Sequence, residues 1–223
     1  MTVRVNVVYF PGTNCDDETM RAFRLVGAAP ELVFLDDLLT GSARLDSADI
    51  VCLPGGFAFG DHLGAGSVSA AVLRTVLADQ LRASRERLML CICNGFQVAV
   101  RAGCFGAGVA LSTNDSGTFH DVPQQQHLVA PDNDSPWLDG LRGSELVFPC
   151  AHGEGRFGYA GPGSWRTALT YPPGRNPDGS MDDIAGITSA DGMVLGLMNH
   201  PERAQHRAAN LELFANGVKA AAG

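Results

Sequence analysis

The feature that most constrains the fold is a buried strand that runs without a linker into a sharp turn and a helix. The apolar run Leu88 to Ile92 predicts the strand, Cys93-Asn94-Gly95 the turn, and residues 96–101 the helix. A side chain at such a turn lies at the carboxyl edge of a sheet, close to a helix N-terminus that favours negative charge. This position suits a cysteine nucleophile, although free cysteine is also among the residue types most often buried in a core.

Three neighbours of Cys93 extend this interpretation. The backbone N–H of Asn94 would face a developing oxyanion. Gly95 has no Cβ to collide with the preceding strand. Cys91, two residues earlier on the strand, is predicted to be a core residue.

Strands and helices alternate through the first half of the chain. Apolar runs and periodicity predict strands at 3–10, 31–35 and 48–53, and helices near 16–26 and over 67–83. This order is typical of an α/β fold with a largely parallel central sheet, helices on both faces, and ligands bound beyond the carboxyl ends of the strands. The third strand ends in Pro54-Gly55-Gly56, whose glycines let backbone N–H groups approach a ligand at the same edge as Cys93.

The second half is richer in proline, glycine, asparagine and aspartate. Short apolar runs at 128–129, 145–148, 184–187 and 194–198 predict antiparallel strands joined by long loops. We found no linker and no internal repeat, so we expect a single domain over residues 1–223.

Composition excludes several classes of protein. Hydrophobic residues make up 45% of the chain and charged residues 18%, as in a globular enzyme. The formal net charge of −8, with acids and bases interspersed, argues against nucleic acid and anionic membranes as partners. The six cysteines lack metal-type spacing and predict reduced thiols. Neither a signal segment nor a membrane-length apolar run is found, which predicts a cytoplasmic protein.

A cysteine nucleophile needs a base and an orienting group, and two segments offer both. His200-Pro201-Glu202 follows an apolar run, so the imidazole and the carboxylate would leave the end of one strand together. His152-Gly153-Glu154 is the rival segment. A surface turn is the commoner outcome for the first segment, and a metal site at His152, Glu154 and His200 has weak support because no second histidine spacing accompanies it.

Six segments then point to a family: PGTNCD (11–16), LPGGFAFGD (53–61), CICNGFQ (91–97), AHGEGRF (151–157), NPDGS with DIAGI (176–180 and 183–187) and HPER (200–203). In this order, over nearly the whole chain, they resemble the glutaminase subunit of phosphoribosylformylglycinamidine synthase, a class I glutamine amidotransferase. The resemblance implies a flavodoxin-like fold with a triad of Cys93, His200 and Glu202. It also implies an oxyanion hole formed by the backbone N–H groups of Gly56 and Asn94.

The same resemblance assigns further roles. It places Gln97, Asn114, Ser116 and Phe119 near bound glutamine. It places His152 and Glu154 close to the active site, where they either couple it to a partner or only shape a glycine-rich turn.

The implied chemistry begins with attack of the Cys93 thiolate on the glutamine carboxamide. His200 protonates the departing ammonia and later activates the water that hydrolyses the thioester. Ammonia passes to a separate synthetase subunit, which uses ATP and Mg²⁺ to convert formylglycinamide ribonucleotide to formylglycinamidine ribonucleotide in purine biosynthesis. A small third subunit often bridges the two. This chain has no Gly-x-x-x-x-Gly-Lys-Ser/Thr phosphate loop and is expected to need no cofactor and no metal of its own.

Several positions depart from the family pattern. Residues 62–64 read His-Leu-Gly where the family carries an aromatic residue, leucine and arginine. The family tends to carry a Cys-Arg pair and an aromatic residue after the serine, but here His120 follows Phe119, and Asn199 stands where proline often precedes the triad histidine. These departures leave open a paralogue that supplies ammonia to another acceptor, for example in a specialised nucleoside or natural-product pathway.

Two other classes of protein fit the sequence less well. A cysteine peptidase or thiol-dependent hydrolase of related fold is disfavoured, because Asn94 stands where those peptidases usually carry their histidine. A non-catalytic binding subunit is disfavoured by the intact set of Cys93, His200 and Glu202.

Overall fold

Strands and helices alternate in the computed structural model, which describes residues 1–161, 163–205 and 208–223. The first half contains β1 (Arg4–Tyr9), α1 (Asp16–Leu25), β2 (Ala29–Phe34), α2 (Leu35–Thr40), β3 (Ile50–Leu53), α3 (Ser67–Thr75), α4 (Ala78–Ser84), β4 (Leu88–Ile92) and α5 (Asn94–Arg101). The second half contains β5 (Val109–Ser112), β6 (His120–Val129), β7 (Glu145–His152), β8 (Arg156–Tyr159), β9 (Trp165–Thr170), β10 (Ile184–Ser189), β11 (Val194–Leu197) and α6 (Ala208–Ala222).

A nine-stranded sheet in the order β2-β1-β3-β4-β11-β10-β9-β6-β7 forms the centre of the fold. The five strands from β2 to β11 in this order are parallel, and the remaining strands extend the sheet by antiparallel pairing. The crossover from β1 to β2 moves in the opposite direction to that from β3 to β4. Because such crossovers are right-handed, their helices cover opposite faces of the sheet. The predicted α/β fold, with a mostly parallel centre, is confirmed.

The last strand corrects the prediction of a wholly antiparallel second half. β11 is antiparallel to β10 on one side but parallel to β4 on the other, with Leu197 opposite Ile92. All four residues of β11 are buried, as expected for a strand in the middle of a covered sheet. The insertion brings the chain that follows Leu197 next to Cys93.

A second correction concerns the helix predicted over 67–83, which is two helices. Leu77 donates its N–H to Val72 O, five residues back, so the hydrogen-bond ladder shifts by one residue before α4 begins. Leu77 and Leu81 are both buried, and their spacing continues the apolar pattern across the break. A single periodic pattern therefore covers two short helices.

Some elements were not predicted at all: α2, β5, β8, β9 and α6. The three glutamines at 124–126 lie within β6. Among the described residues, no helix is both long enough and apolar enough to cross a bilayer. All six cysteines are free and buried, and Cys91 is a fully buried core residue as predicted.

Candidate functional site

The predicted turn at Cys93 is a strained elbow between β4 and α5. Cys93 has φ +50° and ψ −109°, a backbone conformation that residues other than glycine rarely adopt. Its N–H donates to Leu197 O at 2.8 Å, and its C=O accepts from the N–H groups of Phe96 and Gln97. The bonds to β11 and α5 hold the thiol at the carboxyl edge of the sheet.

Gly95 is required at the elbow, but for a different reason from the one predicted. A Cβ at this position would lie 1.9 Å from Leu53 O, on the neighbouring strand β3. The preceding strand β4 does not supply the nearest atoms. α5 thus packs so closely on β3 that only hydrogen fits between them.

The His200-Pro201-Glu202 segment leaves β11 as a buried pair, not as a surface turn. The Nδ1 atom of His200 lies 2.6 Å from Glu202 Oε1, and both side chains are at most 1% exposed. The backbone N–H of His200 donates to Pro149 O at 2.9 Å. Because an ionised carboxylate only accepts, Nδ1 of His200 carries the proton of this bond.

The charges around His200 decide its protonation. Burial alone lowers the pKa of His200, but the negative charges of Glu202 and Cys93 outweigh burial and raise this pKa well above its ordinary value. The imidazolium form of His200 is therefore favoured over the neutral imidazole.

The side chains of Cys93 and His200 both lie next to Gly55. A Cβ built on Gly55 would lie 3.4 Å from Cys93 Cβ and 2.9 Å from His200 Cε1. Both side chains line one cavity of about 240 Å³. Its lining consists of Asn14, Gly56, Phe57, Cys93, Phe119, Asp121, Ala151, His200 and Arg203.

A smaller cavity of about 110 Å³ also borders Cys93. It shares Gly56, Phe57 and Phe119 with the first cavity, and its further lining includes Gln97, His152 and Glu154. The structure therefore gathers most of the predicted site residues around the thiol. A separate cavity of about 410 Å³ lies against α6 and is lined by none of these residues.

Asn94 and Gln97 form a buried polar link behind Cys93. The Asn94 carboxamide accepts from Ala58 N–H and donates to Asp61 Oδ1 and Gln97 Oε1 at 2.9 to 3.0 Å. Gln97 in turn donates to Glu154 O at 2.9 Å. Burial of Asp61 is the main reason that its pKa is raised, and the nearby charge of Glu154 adds to it.

Asn114 and Ser116 are absent from the lining of both cavities. Asn114 donates to His152 O and Thr118 O and accepts from Gly155 N–H, so its amide fastens the turn after β5 to the loop after β7. Ser116 is exposed, and its hydroxyl contacts Thr118 and His120. Their contact with glutamine stays a prediction.

The carboxylate of Glu154 fixes the 152–156 loop to the segment after β3. It accepts from Ala65 N–H at 3.2 Å and from Arg101 Nη2 at 3.5 Å. The Arg101 guanidinium also lies 3.2 Å from the point where a Cβ on Gly64 would be placed. Gly64 is the position at which the resemblance led us to expect arginine, and Arg101 places a cation beside it from α5. The spacing of Gln97 and Arg101, one helical turn apart, is the sequence signal for this residue.

Sequence reasoning also missed Cys15 and the contact made by Arg203. Arg203 donates to Cys15 Sγ at 3.1 Å, and the ligand atoms of Cys15, His200 and Glu202 lie within 4.8 Å of one another. In the described part of the chain, the weakly supported metal set of His152, Glu154 and His200 does not form such a cluster. The Cys15 cluster shares His200 and Glu202 with the predicted triad, and these two side chains already form the hydrogen bond described above.

Comparison with known proteins identifies the family. The family model of the CobB/CobQ-like glutamine amidotransferase domain matches residues 2–170 and 159–217. The chain is 36% identical to phosphoribosylformylglycinamidine synthase subunit PurQ of Corynebacterium glutamicum, with 98% of each chain covered. It is 40% identical to the subunit of the same name from Pyrobaculum aerophilum, covering 91% of this chain and 88% of that one.

Solved structures agree with this relationship. The structure of PurLQS from Thermotoga maritima contains a chain with 32% identity and a TM-score of 0.80, with 99% of this chain and 97% of that chain covered. A glutamine amidotransferase from Thermotoga maritima has 15% identity and a TM-score of 0.55, covering 91% of this chain and 77% of that chain, and shows the fold alone. The chain is a glutamine amidotransferase that belongs to the family of phosphoribosylformylglycinamidine synthase subunit PurQ.

Proposed function

We propose that this chain is the glutaminase subunit that supplies ammonia for the conversion of formylglycinamide ribonucleotide to formylglycinamidine ribonucleotide in purine biosynthesis. The observation that carries the proposal is the buried pair of His200 and Glu202 at the same cavity as the elbow thiol of Cys93. That arrangement occurs in a chain with full-length similarity to PurQ subunits.

In the proposed mechanism Cys93 is the nucleophile and His200 moves the protons. The Cys93 thiolate attacks the amide carbon of glutamine, and the imidazolium of His200 gives its Nε2 proton to the leaving ammonia. The neutral imidazole then takes a proton from water, which hydrolyses the thioester to glutamate. Glu202 holds Nδ1 throughout and stabilises the imidazolium.

We assign the oxyanion hole to the backbone N–H groups of Gly56 and Asn94. Gly56 lines both cavities beside the thiol, and Asn94 is the first residue of α5. An N–H in the first turn of a helix has no partner within the helix and is free to donate to an anion. The contribution of one such donor is on the order of 3 kcal/mol in comparable enzymes.

For glutamine itself, Gln97 and Phe119 are the proposed contacts with the clearest support. Both line the smaller cavity next to Cys93, and Phe119 is 52% exposed at the cavity mouth. Asn114 acts on this cavity through the loop that it fastens. Ser116 would have to exchange its present hydrogen bonds to reach the ligand.

His152 and Glu154 are proposed as the coupling residues between glutamine hydrolysis and the synthetase. Both line the smaller cavity, and Glu154 ties the loop to the segment after β3. The partners proposed are a synthetase subunit that binds ATP and Mg²⁺, and a small bridging subunit. Support for them comes from the likeness to a chain of the PurLQS structure. We further propose a single domain over residues 1–223 that acts in the cytoplasm without a cofactor of its own.

The test is glutamate release by the purified chain, alone and mixed with the synthetase and small subunits of the same organism, with Cys93→Ala as the control. The proposal expects release that rises on mixing and vanishes in Cys93→Ala. It also expects ATP-dependent formation of formylglycinamidine ribonucleotide in the mixture. Partner-dependent hydrolysis without this product would assign the chain to a different acceptor, and absence of both hydrolysis and a thioester would contradict the triad.

A further inference from the structure

A second hydrogen-bonded series of a hydroxyl, an imidazole and a carboxylate lies outside the two cavities that Cys93 lines. Ser116 Oγ is 2.7 Å from His120 Nε2, and His120 Nδ1 is 3.2 Å from Asp178 Oδ1. The residues come from three segments: the turn after β5, the first position of β6 and the loop after β9. They have the connectivity of a serine, histidine and aspartate triad, which is recognised by geometry and not by chain order.

Asp178 fixes the tautomer of His120. The Asp178 side chain is fully buried, and its Oδ2 accepts from Tyr171 OH at 2.6 Å. Burial, together with the Asp178 charge, raises the pKa of Tyr171 well above its ordinary value, so the phenol keeps its proton. The carboxylate can only accept, so His120 Nδ1 must donate. In the tautomer with its proton on Nδ1, Nε2 of His120 accepts from the Ser116 hydroxyl, whose oxygen also lies 2.9 Å from Thr118 Oγ1.

The loop that carries Asp178 is held rigidly. Asn176 Oδ1 accepts from the backbone N–H groups of Asp178, Gly179 and Ser180 at 3.0 to 3.2 Å. The C=O of Asp178 accepts from Asp115 N–H at 3.0 Å, directly beside Ser116. Nucleophile and carboxylate are therefore positioned by one connected set of hydrogen bonds before any ligand arrives, which is the preorganisation that catalytic sites require.

The three residues differ in their exposure to solvent. Ser116 is exposed, the His120 side chain is 15% exposed, and Asp178 is buried. A nucleophile open to solvent, with its base covered and its carboxylate excluded from water, is the order needed for attack on an external ligand. The backbone N–H of Thr118 donates to Ser116 Oγ at 3.2 Å and so fixes the position of this oxygen.

We propose that Ser116, His120 and Asp178 form a second acyl-transfer site, which reacts with small activated carboxylic esters independently of Cys93. Ser116 Oγ forms a bond to the ester carbon while its proton passes to His120 Nε2. The bond from that carbon to the alcohol oxygen then breaks, and the alcohol leaves with the proton. Water, deprotonated by His120, hydrolyses the acyl-serine to a carboxylic acid and restores the hydroxyl.

The probe is an alkyl fluorophosphonate, which phosphonylates an activated serine with loss of fluoride. It is applied to the full chain carrying Cys93→Ala, so that the elbow thiol does not react, and the adduct is located by peptide mass spectrometry. Ser116 is expected to be labelled faster than Ser42, which is also exposed but donates to Asp37 instead of facing an imidazole. In His120→Asn the labelling rate should fall by about 100-fold or more, the usual contribution of a general base.

Hydrolysis of an aryl acetate provides the second measurement. The Cys93→Ala chain should release the phenol, and the double variant with Ser116→Ala should not; because Ser116 is exposed, this change leaves the core intact. Denaturant unfolding of His120→Asn separates a lost base from a lost fold. The proposal is overturned if Ser116 is labelled no faster than Ser42, or if folded His120→Asn reacts at an unchanged rate.

Discussion

The carboxylate of Glu202 accepts a hydrogen bond from the imidazole of His200, and both side chains are buried. Glu202→Gln removes the negative charge and presents an amide whose N–H₂ can turn towards Nδ1, so the imidazole loses its fixed tautomer. We expect kcat/KM for glutamine in the assembled complex to fall by about 10²- to 10⁴-fold, the range in which a general acid and base contributes. Glu86→Gln, a change at an exposed position, is the control and should retain full activity. Near-normal turnover by Glu202→Gln would remove Glu202 from the triad.

Arg101 lies at the end of α5, against the Glu154 carboxylate and the C=O of Ala65. Arg101→Gln should loosen the 152–156 loop that borders the smaller cavity. The Arg101 side chain is 36% exposed, so we expect the substitution to weaken glutamine binding by only about 1 kcal/mol, seen as a roughly fivefold rise in KM for glutamine with little change in kcat. Arg82→Gln on α4, which breaks an exposed pair with Asp79, is the matched control. Equal KM values in the two variants would mean that this contact does not shape the glutamine site.

The packing of α5 on β3 allows no side chain at Gly95. Gly95→Ala would place a methyl group 1.9 Å from Leu53 O, so the helix or the strand must move. We expect a loss of about 3 kcal/mol or more in the free energy of unfolding, together with loss of glutaminase activity because the elbow moves with the helix. Urea unfolding should show the difference against Gly158→Ala on β8, whose Cβ would come no closer than 3.8 Å to another residue. A stable and active Gly95→Ala protein would contradict the close packing at the elbow.

Two buried histidines make the stability of the whole chain sensitive to acid. Burial lowers the pKa of both His127 and His152 to about 4. Below the unfolded value of about 6.5 the unfolded chain binds protons that the folded chain does not, so stability is full above pH 6.5 and falls as the pH drops towards 4. Each histidine contributes on the order of 3 kcal/mol over this range. His200, whose pKa is raised, acts in the opposite sense, and its contribution is lost only as the pH rises above 6.5.

His127→Phe tests this titration without opening a cavity, since the ring already packs against Phe148 and Tyr171. The free energy of unfolding should fall less between pH 6.5 and pH 4.5 in the variant than in the parent chain. His62→Phe, at a position outside the core, is the control and should keep the parent slope. An unchanged slope in His127→Phe would show that His127 is protonated equally in the folded and unfolded states.

Local sequence was sufficient to predict the elements that are specified by residues adjacent in the chain. The apolar run at 88–92, the cysteine after it and the glycine at 95 predicted the elbow, because strand, turn and helix are each specified by adjacent residues. His200 and Glu202 were predicted as a pair for the same reason, since the stiff Pro201 is all that separates them. The break at Leu77 escaped prediction because apolar spacing does not record a shift of one residue in the hydrogen-bond ladder.

The sequence by itself therefore determined the alternation of strands and helices in the first half of the chain, and it singled out Cys93, His200 and Glu202 as the candidate nucleophile, base and orienting carboxylate. Only the tertiary structure decided that β11 lies parallel to β4, which brings His200 to Cys93 across more than a hundred residues. It also decided that Arg101 fills the place beside Gly64 and that His120 meets Asp178. These contacts depend on burial and on strand order, which follow from the packing of distant segments and leave no periodic signal in the chain.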